Sequence, residues 1–232
     1  MIGGFLFDFD GVLVNSMPFH IQAWQEEFSR YGVQIDPVDV YLREGSRAGA
    51  IGRALVEKAG LNLSDEQLAA LIRRKRDIYR RITRAGLMPG AKELLSELKQ
   101  RGLKIGMVTG SIWENIHTVL DDQTIAVFDA VVTGRDVSHG KPHPEPYQIG
   151  VARLGLAPAD CVVVENAPFG IESAKKAGLF CVAVTSTLDA SKLTEADLVF
   201  PDLTKIRENL DAILKKAQAA GQEMQAEVVQ AK

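Results

Sequence analysis

Cysteine is scarce in this sequence, with two residues in a chain of 232. Cys161 and Cys181 each begin a short apolar run, so we expect two buried free thiols, not a disulfide, in a reducing cytoplasm. The amino terminus has no basic segment, and Asp8 and Asp10 interrupt its apolar run. No later run has the length of a membrane span. We therefore expect neither a signal peptide nor a transmembrane helix.

An excess of charge of either sign is also absent, because 27 basic residues nearly balance 30 acidic ones and the net charge is -3. A chain with this balance has no general attraction for nucleic acid or anionic membranes. Its one basic run, residues 73–81, lacks the interleaved aromatic platforms of a nucleic-acid site. We expect a monomer that acts on a small molecule and has no nucleic-acid or membrane partner.

From Leu87 onward, the sequence alternates short β-rich runs with helical patterns. The predicted strands are residues 103–108, 129–133, 161–165, 180–184 and 197–200, with residues 3–9 as a further strand near the amino terminus. Helices with one apolar face each are predicted at residues 91–101, 144–154 and 204–216. This alternation is typical of βαβ units, so the predicted fold class is α/β, with a Rossmann-like parallel sheet as its core.

Residues 17–86 show helical patterns only, which predicts an insertion into the α/β core. Ile21, Trp24 and Phe28 are spaced by three and four residues, and Ser64 opens a later helix with a capping-box pattern. The tail has little apolar face. The predicted division is a discontinuous α/β core of residues 1–15 and 87–216, an α-helical cap domain of residues 16–86, and a frayed or disordered tail of residues 217–232.

Two carboxylates stand near the end of the first predicted strand, in the segment FLFDFDGVLVNS at residues 5–16. Side chains two positions apart share one face of a strand, so we expect Asp8 and Asp10 to point the same way. Leaving both ionised in an apolar setting costs roughly several kcal/mol unless a cation or hydrogen-bond donors compensate. Two strand-end aspartates also commonly cap a loop, so the pair alone leaves a structural role open.

Three further segments follow predicted strands: VTGS at 108–111, GKPHPEPY at 140–147 and VVVEN at 162–166. Ligands gather at the carboxyl ends of parallel strands, where the Thr109 hydroxyl and the N–H groups of Gly110 and Ser111 can hold a phosphoryl oxygen. Pro142, Pro144 and Pro146, which follow Lys141, stiffen the second segment. Taken one at a time, an ordinary turn, a surface lysine and a helix cap explain these segments equally well.

Together, the segments DFDGVLVNS, VTGS, GKPHPEPY and VVVENAPFGIESAKKAG resemble, in order, the four motifs of the haloacid dehalogenase superfamily. The helical insertion resembles the cap of the subgroup that contains phosphatases and β-phosphoglucomutases. The resemblance covers nearly everything but the tail. It implies that Asp8 is the nucleophile that becomes an aspartyl phosphate, and that Asp10 is the general acid and base.

The resemblance also implies a Mg²⁺ cofactor. The phosphate-binding and catalytic residues that it implies are Asp8, Asp10, Thr109, Gly110, Ser111 and Lys141. The implied metal ligands are a carboxylate oxygen of Asp8, the backbone carbonyl of Asp10 and the side chain of Asn166. The subgroup usually has aspartate where this chain has Asn166, which removes one negative charge, and Glu165 is the nearest replacement ligand.

In the predicted cap, Lys75 falls on an apolar helix stripe where an aliphatic residue is expected. The cap of β-phosphoglucomutases contributes residues matching His20, Arg47 and Lys75, so the resemblance implies that these three face the substrate. Glu44 departs from that subgroup, which generally has glycine there. We hypothesise that Glu44 approaches the core as an extra Mg²⁺ ligand or as a block to large leaving groups. An exposed acid at a helix end is the alternative.

The resulting prediction is a Mg²⁺-dependent phosphohydrolase that acts on a small phosphorylated metabolite. The nearest alternative is a β-phosphoglucomutase converting glucose 1-phosphate to glucose 6-phosphate, which uses the same core residues and differs in how well the cap excludes water. A pocket narrowed by Glu44 would also suit inorganic pyrophosphate. A further alternative is a non-catalytic phospho-ligand binder, in which Asn166 has abolished productive metal binding.

Overall fold

A six-stranded, fully parallel sheet forms the centre of the molecule, whose computed structural model describes residues 1–230. Its strands are β1 (Gly4–Phe7), β2 (Lys104–Val108), β3 (Ala130–Val132), β4 (Cys161–Glu165), β5 (Phe180–Val184) and β6 (Leu198–Phe200). They are arranged in the order β3-β2-β1-β4-β5-β6, which is the order of a doubly wound sheet. The predicted α/β class with a Rossmann-like parallel sheet is therefore confirmed.

Helices cover both faces of this sheet. Within the described residues they are α1 (Met17–Ser29), α2 (Pro37–Tyr41), α3 (Ala48–Lys58), α4 (Asp65–Ile82), α5 (Ala91–Gln100), α6 (Trp113–Val119), α7 (Asp122–Ile125), α8 (Glu145–Leu154), α9 (Pro168–Lys176), α10 (Leu203–Glu208) and α11 (Leu210–Gln230). Helices α5, α10 and α11 pack on one face, and α8 and α9 pack on the other. Covering both faces buries the apolar strands that a parallel sheet requires.

Strand β1 lies in the middle of the sheet, paired with β2 on one side and β4 on the other. Phe5 and Phe7 pack on one face with Phe9, whereas Leu6 packs on the opposite face. The strand is shorter than the predicted residues 3–9, so Asp8 and Asp10 lie just beyond its end. The alternation of faces nevertheless continues to Phe9, which leaves Asp8 on the side opposite the phenylalanines.

Helices α1 to α4 form a hydrophobic cluster of their own, with Trp24, Phe28, Leu55 and Leu71 among its buried residues. The chain enters and leaves this helical region side by side. The N–H of Asn15 donates to the carbonyl of Gly86 at 2.9 Å, and the N–H of Met88 donates to that of Leu13 at 2.8 Å. The predicted capping box at the start of α4 is present, with Ser64 and Gln67 as its two members.

The tail differs from its prediction, because α11 continues to Gln230. Ala217 on this helix is buried, and a side chain at Gly221 would come within 2.8 Å of the Ala159 carbonyl. Small residues therefore let the helix approach the body of the protein closely, and they carry little of the apolar periodicity used for the prediction. Residues 231–232 of the predicted tail lie outside the described residues.

Both cysteines are buried as free thiols, as the sequence predicts. Burial raises the pKa of Cys161 to about 12. None of the helices in the described part of the chain is both long and apolar enough to span a bilayer.

Candidate active site

The carboxyl ends of three neighbouring strands bring the predicted core residues together. Asp8 follows β1, Thr109 follows β2, and Glu165 is the last residue of β4. Because β1 pairs with both β2 and β4 in parallel, these side chains meet at one edge of the sheet. Lys141 reaches the same place from the loop between β3 and α8.

Lys141 links two of these acids. Its Nζ donates to Asp8 Oδ1 at 2.6 Å, to Glu165 Oε1 at 2.6 Å and to the Val108 carbonyl at 3.0 Å, which uses its three donors. Burial alone would lower the pKa of Lys141, but the carboxylates of Asp8 and Glu165 outweigh it and raise the pKa. Lys141 therefore remains a fixed positive charge against Asp8.

Glu165 holds Lys141 in place and does not offer an open ligand. Its Oε1 accepts from Lys141 and from the Tyr147 hydroxyl at 2.8 Å, and its Oε2 accepts the N–H of Asn166 at 2.9 Å. This setting corrects the expectation that Glu165 replaces an aspartate as metal ligand, since each of its oxygens already accepts two donors, the second on Oε2 being the N–H of Ala167 at 3.4 Å. Tyr147 is not predicted as a site residue, because an aromatic residue at helical spacing on α8 is typical of an ordinary core position.

Asp10 engages a different set of partners, most of them from the helical region. The Ser16 hydroxyl donates to Asp10 Oδ1 at 2.6 Å, and His20 Nε2 lies 3.1 Å from the same oxygen. On the other side of the ring, His20 Nδ1 lies 2.7 Å from Lys75 Nζ. The His20 ring stacks on Tyr79 at 4.0 Å. Lys75, His20 and Asp10 thus form one continuous row.

The protonation of this row is shifted at each position. Burial would raise the pKa of Asp10, but His20 and Ser16 outweigh it and lower the pKa. Burial lowers the pKa of His20, helped by the charge of Lys75 and opposed by Asp10. Burial also lowers the pKa of Lys75 to about 7. The row can therefore exchange a proton near neutral pH within hydrogen-bond reach of Asp10.

A group of buried oxygens has no hydrogen-bond partner among the described residues: Asp8 Oδ2, Glu44 Oε1, Glu44 Oε2 and Asn166 Oδ1. The Asn166 amide is oriented by its Nδ2, which donates to Thr187 Oγ1 at 3.1 Å. Glycine at position 11 leaves room for both side chains, since a Cβ there would lie 2.5 Å from Glu44 Oε1 and 2.3 Å from Asn166 Nδ2. Glu44 is 2 % exposed, so the alternative prediction that it is an exposed acid at a helix end is wrong.

This oxygen set fits a hard divalent cation. Burial, opposed by the Asn166 amide and reinforced by the neighbouring acids, raises the pKa of Glu44 well above its ordinary value. Burial also raises the pKa of Asp8, and Lys141 opposes this shift without cancelling it. A cation among these oxygens would offset the cost of ionising both side chains. Carboxylate and amide oxygens are ligands that Mg²⁺ and Ca²⁺ accept.

The loop between α2 and α3 covers the site from above. The Ser46 hydroxyl donates to the Lys141 carbonyl at 2.8 Å, and a Cβ at Gly110 would lie 2.5 Å from the Gly45 carbonyl. Below it, the N–H of Ser111 donates to Thr109 Oγ1 at 2.9 Å. This corrects the expectation that the Ser111 N–H is free to hold a phosphoryl oxygen, because the Thr109 hydroxyl already accepts it.

Two adjoining spaces lie between the helical region and the sheet. The inner cavity has a volume of about 50 Å³ and is lined by Asp10, His20, Glu44, Lys75 and Gly110, among others. The outer cleft, of about 690 Å³, is lined by four arginines at positions 47, 73, 76 and 135. Arg47 donates to the Ser138 carbonyl at 3.1 Å in this outer cleft. The structure thus brings His20, Glu44 and Lys75 together and places Arg47 apart from them.

A parallel sheet that places buried acids and a lysine at the carboxyl ends of its central strands, beside helices with a core of their own, is the arrangement of an α/β protein with a ligand site at those strand ends. A family model for haloacid dehalogenase-like hydrolases matches residues 2–178. The match spans more than half of the sequence. The chain therefore belongs to the haloacid dehalogenase-like hydrolase family.

Individual relatives are similar over most of their length. Validoxylamine A 7'-phosphate phosphatase of Streptomyces hygroscopicus subsp. limoneus is 36 % identical over 206 residues, covering 87 % of this chain and 94 % of the relative. Hexitol phosphatase A of Escherichia coli is 33 % identical, covering 88 % and 92 %. The crystal structure of a β-phosphoglucomutase from Clostridium difficile is 25 % identical, with a TM-score of 0.79, covering 93 % and 98 %. The named phosphatases place this chain among the phosphatases of the family.

Proposed function

We propose that the protein is a Mg²⁺-dependent phosphohydrolase of a small phosphorylated metabolite and that it works through an aspartyl phosphate on Asp8. The observation that carries this proposal is the setting of Asp8. One carboxylate oxygen is fixed by Lys141 at 2.6 Å, and the other is buried without a hydrogen-bond partner among the described residues, as are oxygens of Glu44 and Asn166. A buried carboxylate in this setting is suited to nucleophilic attack once its charge is balanced.

The proposed reaction has two steps, transfer of the phosphoryl group to Asp8 and its hydrolysis by water. A carboxylate oxygen of Asp8 forms a bond to phosphorus while the bond from phosphorus to the leaving oxygen breaks, and Asp10 gives that oxygen a proton. In the second step, water attacks phosphorus, Asp10 accepts a proton from it, and the bond to Asp8 breaks. Inorganic phosphate leaves, and the Asp8 carboxylate is regenerated. The row of His20 and Lys75 beside Asp10 can supply the proton that the first step needs.

The residues that would hold Mg²⁺ are Asp8, the backbone carbonyl of Asp10, Asn166 and Glu44. When bound, Mg²⁺ neutralises charge on the phosphoryl group that approaches Asp8. Glu44 supplies the negative charge that Asn166 lacks relative to the usual aspartate, which the unpaired state of both Glu44 oxygens supports. Glu165 is assigned to positioning Lys141 instead of to the metal.

The phosphoryl oxygens are assigned to Thr109, Gly110 and Lys141. Thr109 and Lys141 are each 3 % exposed, so their polar groups act on a substrate largely shielded from water. Ser111 acts indirectly in this proposal, since its N–H orients the Thr109 hydroxyl by donating to its oxygen. Arg47 and the other arginines of the outer cleft would attract an anionic substrate toward the site.

The substrate class follows from the relatives and from the inner cavity. One relative is named as a phosphatase of validoxylamine A 7'-phosphate and another as a hexitol phosphatase. These names support a sugar or polyol phosphate as the substrate of this protein. The inner cavity of about 50 Å³ has room for a few water molecules only. A sugar must therefore extend into the outer cleft, or it must enter while the loop between α2 and α3 is lifted from the core. The same small volume beside Glu44 favours inorganic pyrophosphate as a second candidate substrate.

The test is a screen of sugar phosphates, polyol phosphates and pyrophosphate with and without Mg²⁺. We expect Mg²⁺-dependent phosphate release by the wild type and by a control variant, Asp65→Asn, whose side chain is exposed at the start of α4. Asp8→Asn should release none. Glucose 6-phosphate formed from glucose 1-phosphate without phosphate release would indicate the mutase instead. Ligand binding without turnover would indicate a binding protein and contradict the proposal.

Location and assembly belong to the same proposal. The buried free thiols of Cys161 and Cys181 support a reducing cytoplasm. The monomer expected from the sequence stays a prediction.

A further inference from the structure

A second cluster of metal-ligating side chains lies on the loop that presents Lys141. One ligand atom from each of His139, His143 and Glu145 lies within 4.8 Å of the other two. The two imidazole rings are 4.7 Å apart between centroids. The side chains of His139 and His143 are 67 % and 49 % exposed, whereas that of Lys141 between them is 1 % exposed. The cluster therefore lies on the outer side of this loop, away from Asp8.

Glu145 is fixed in a position that favours a cation. Its Oε1 accepts the N–H of Ser138 at 2.7 Å, and its Oε2 accepts the N–H of His139 at 2.9 Å. These two backbone donors lower the pKa of Glu145, so it is anionic at neutral pH. Each carboxylate oxygen keeps a second lone pair, which leaves Glu145 Oε2 able to bind an ion.

The two histidines flank that oxygen. His139 Nδ1 lies 2.9 Å from Glu145 Oε2, and His143 Nδ1 lies 3.9 Å from it. These two distances lie on either side of about 3.3 Å, the spacing of ligand atoms around a tetrahedral zinc ion. The backbone under His143 is also fixed, because the Ser173 hydroxyl donates to its carbonyl at 2.6 Å. Small side-chain rotations would therefore complete the ligand geometry without moving the loop.

We propose that His139, His143 and Glu145 form a binding site for a borderline divalent transition-metal ion such as Zn²⁺. Two imidazoles and one carboxylate suit zinc, cobalt, nickel and copper, whereas the oxygen set at Asp8 suits magnesium. The exposure of the histidines leaves a coordination position open to water.

A bound ion would tie the two ends of the segment that carries Lys141. This segment also contacts the residues that follow the α2–α3 loop's Glu44. The Ser46 hydroxyl donates to the Lys141 carbonyl, and the Arg47 guanidinium donates to the Ser138 carbonyl. Zinc binding should therefore slow amide hydrogen exchange in residues 138–145, which is a readout independent of turnover.

The test is calorimetric titration of Zn²⁺ into protein kept in excess Mg²⁺, so that the oxygen site is not available to zinc. We expect one zinc ion per wild-type chain and affinity about 10- to 100-fold weaker in His139→Ala and in His143→Ala. Glu145→Gln, which keeps an acceptor for the backbone, should weaken binding as well. The matched control is His117→Ala, which removes another exposed histidine that lies beside an acid, Asp122.

Asp8→Asn separates this site from the catalytic one. We expect zinc affinity to be unchanged in Asp8→Asn, whatever becomes of its phosphatase activity. Equal zinc affinity in wild type, His139→Ala and His143→Ala would overturn the proposal, as would zinc binding that Asp8→Asn abolishes. Slower hydrogen exchange in residues 138–145 on adding zinc, lost in His139→Ala, would support it. Circular dichroism establishes that each variant is folded.

Discussion

Lys75 is the residue at which site chemistry and stability conflict most clearly. It occupies an apolar stripe of α4, is 3 % exposed, and has its Nζ 4.9 Å above the Trp24 ring. Burial lowers its pKa to about 7, so keeping the charge opposes folding. The compensation is its contact with His20 at 2.7 Å, which connects Lys75 to Asp10. A hydrophobic residue would pack here without that cost but would break the row.

Replacing Lys75 by methionine should therefore change how stability depends on pH. Between the folded pKa of about 7 and the ordinary 10.5, the unfolded lysine binds more protons, so wild-type stability rises with pH in this window. From about pH 7.5 to about pH 9.5, wild type should gain about 2–3 kcal/mol relative to Lys75→Met in urea unfolding. Lys192→Met, at an exposed lysine, is the control. Parallel pH dependence of Lys75→Met and wild type would contradict the assigned burial.

Individual site residues differ in how far the sequence could predict them. Asp8, Thr109 and Lys141 were predictable because parallel strands end at one edge of a sheet, which places whatever follows them together. Tyr147 was not, because its hydroxyl contacts Glu165 across two elements while its position matches an ordinary core pattern. Glu165 was predicted at the site, but its actual partners depend on side-chain directions that strand order does not determine.

At the scale of elements, the loop between α2 and α3 decides whether the site is closed. It delivers Glu44 to the buried oxygens and lies against Gly110, the residue after Thr109. The Gly45 and Ser46 carbonyls would be 2.5 Å and 2.6 Å from a Cβ at Gly110. Glycine at position 110 is therefore what allows the loop to seat on the core.

Gly110→Ala should keep this loop from seating. The backbone carbonyls of Gly45 and Ser46 cannot yield as a flexible side chain can, so the loop must lift and move Glu44 away from Asp8. We expect kcat/KM for phosphate release to fall by about 100-fold, with little change in the free energy of unfolding. The control is Gly49→Ala in α3, where the nearest atom to an added Cβ is 4.0 Å away. An unchanged kcat/KM in Gly110→Ala would contradict this role of the loop.

Long, periodic elements were predictable from the sequence, and short ones were not. The predicted strands and the helices that became α5 and α8 agree with the structure within a few residues, whereas the single helix predicted over residues 204–216 is divided at Asn209 into α10 and α11. Helices α2 and α7 have five and four residues, too few to show a helical period. The contact between the α2–α3 loop and Gly110 joins segments that are distant in the sequence. Local sequence patterns therefore do not predict it.

At the scale of the whole molecule, the strand order explains why acids are buried at this place. Strand β1 is flanked on both sides, so whatever follows it lies in the interior, and Asp8 is 1 % exposed. Glu44 is buried as well, and the charges of Asp8 and Asp10 help to raise its pKa. Lys141 balances Asp8 and Glu165, which leaves Glu44 without a counter-charge among the described residues. The proposed function therefore requires a cation bound by Asp8, Glu44 and Asn166 together.

Calorimetric titration of Mg²⁺ at neutral pH, without substrate, tests this requirement most directly. The account expects one Mg²⁺ per wild-type chain, unchanged affinity in the Asp65→Asn control, and affinity about 10- to 100-fold weaker in both Asp8→Asn and Glu44→Gln. Glu44→Gln decides the matter, because it keeps the size of the side chain and removes only its charge. Equal Mg²⁺ affinity in wild type and both variants would contradict the account.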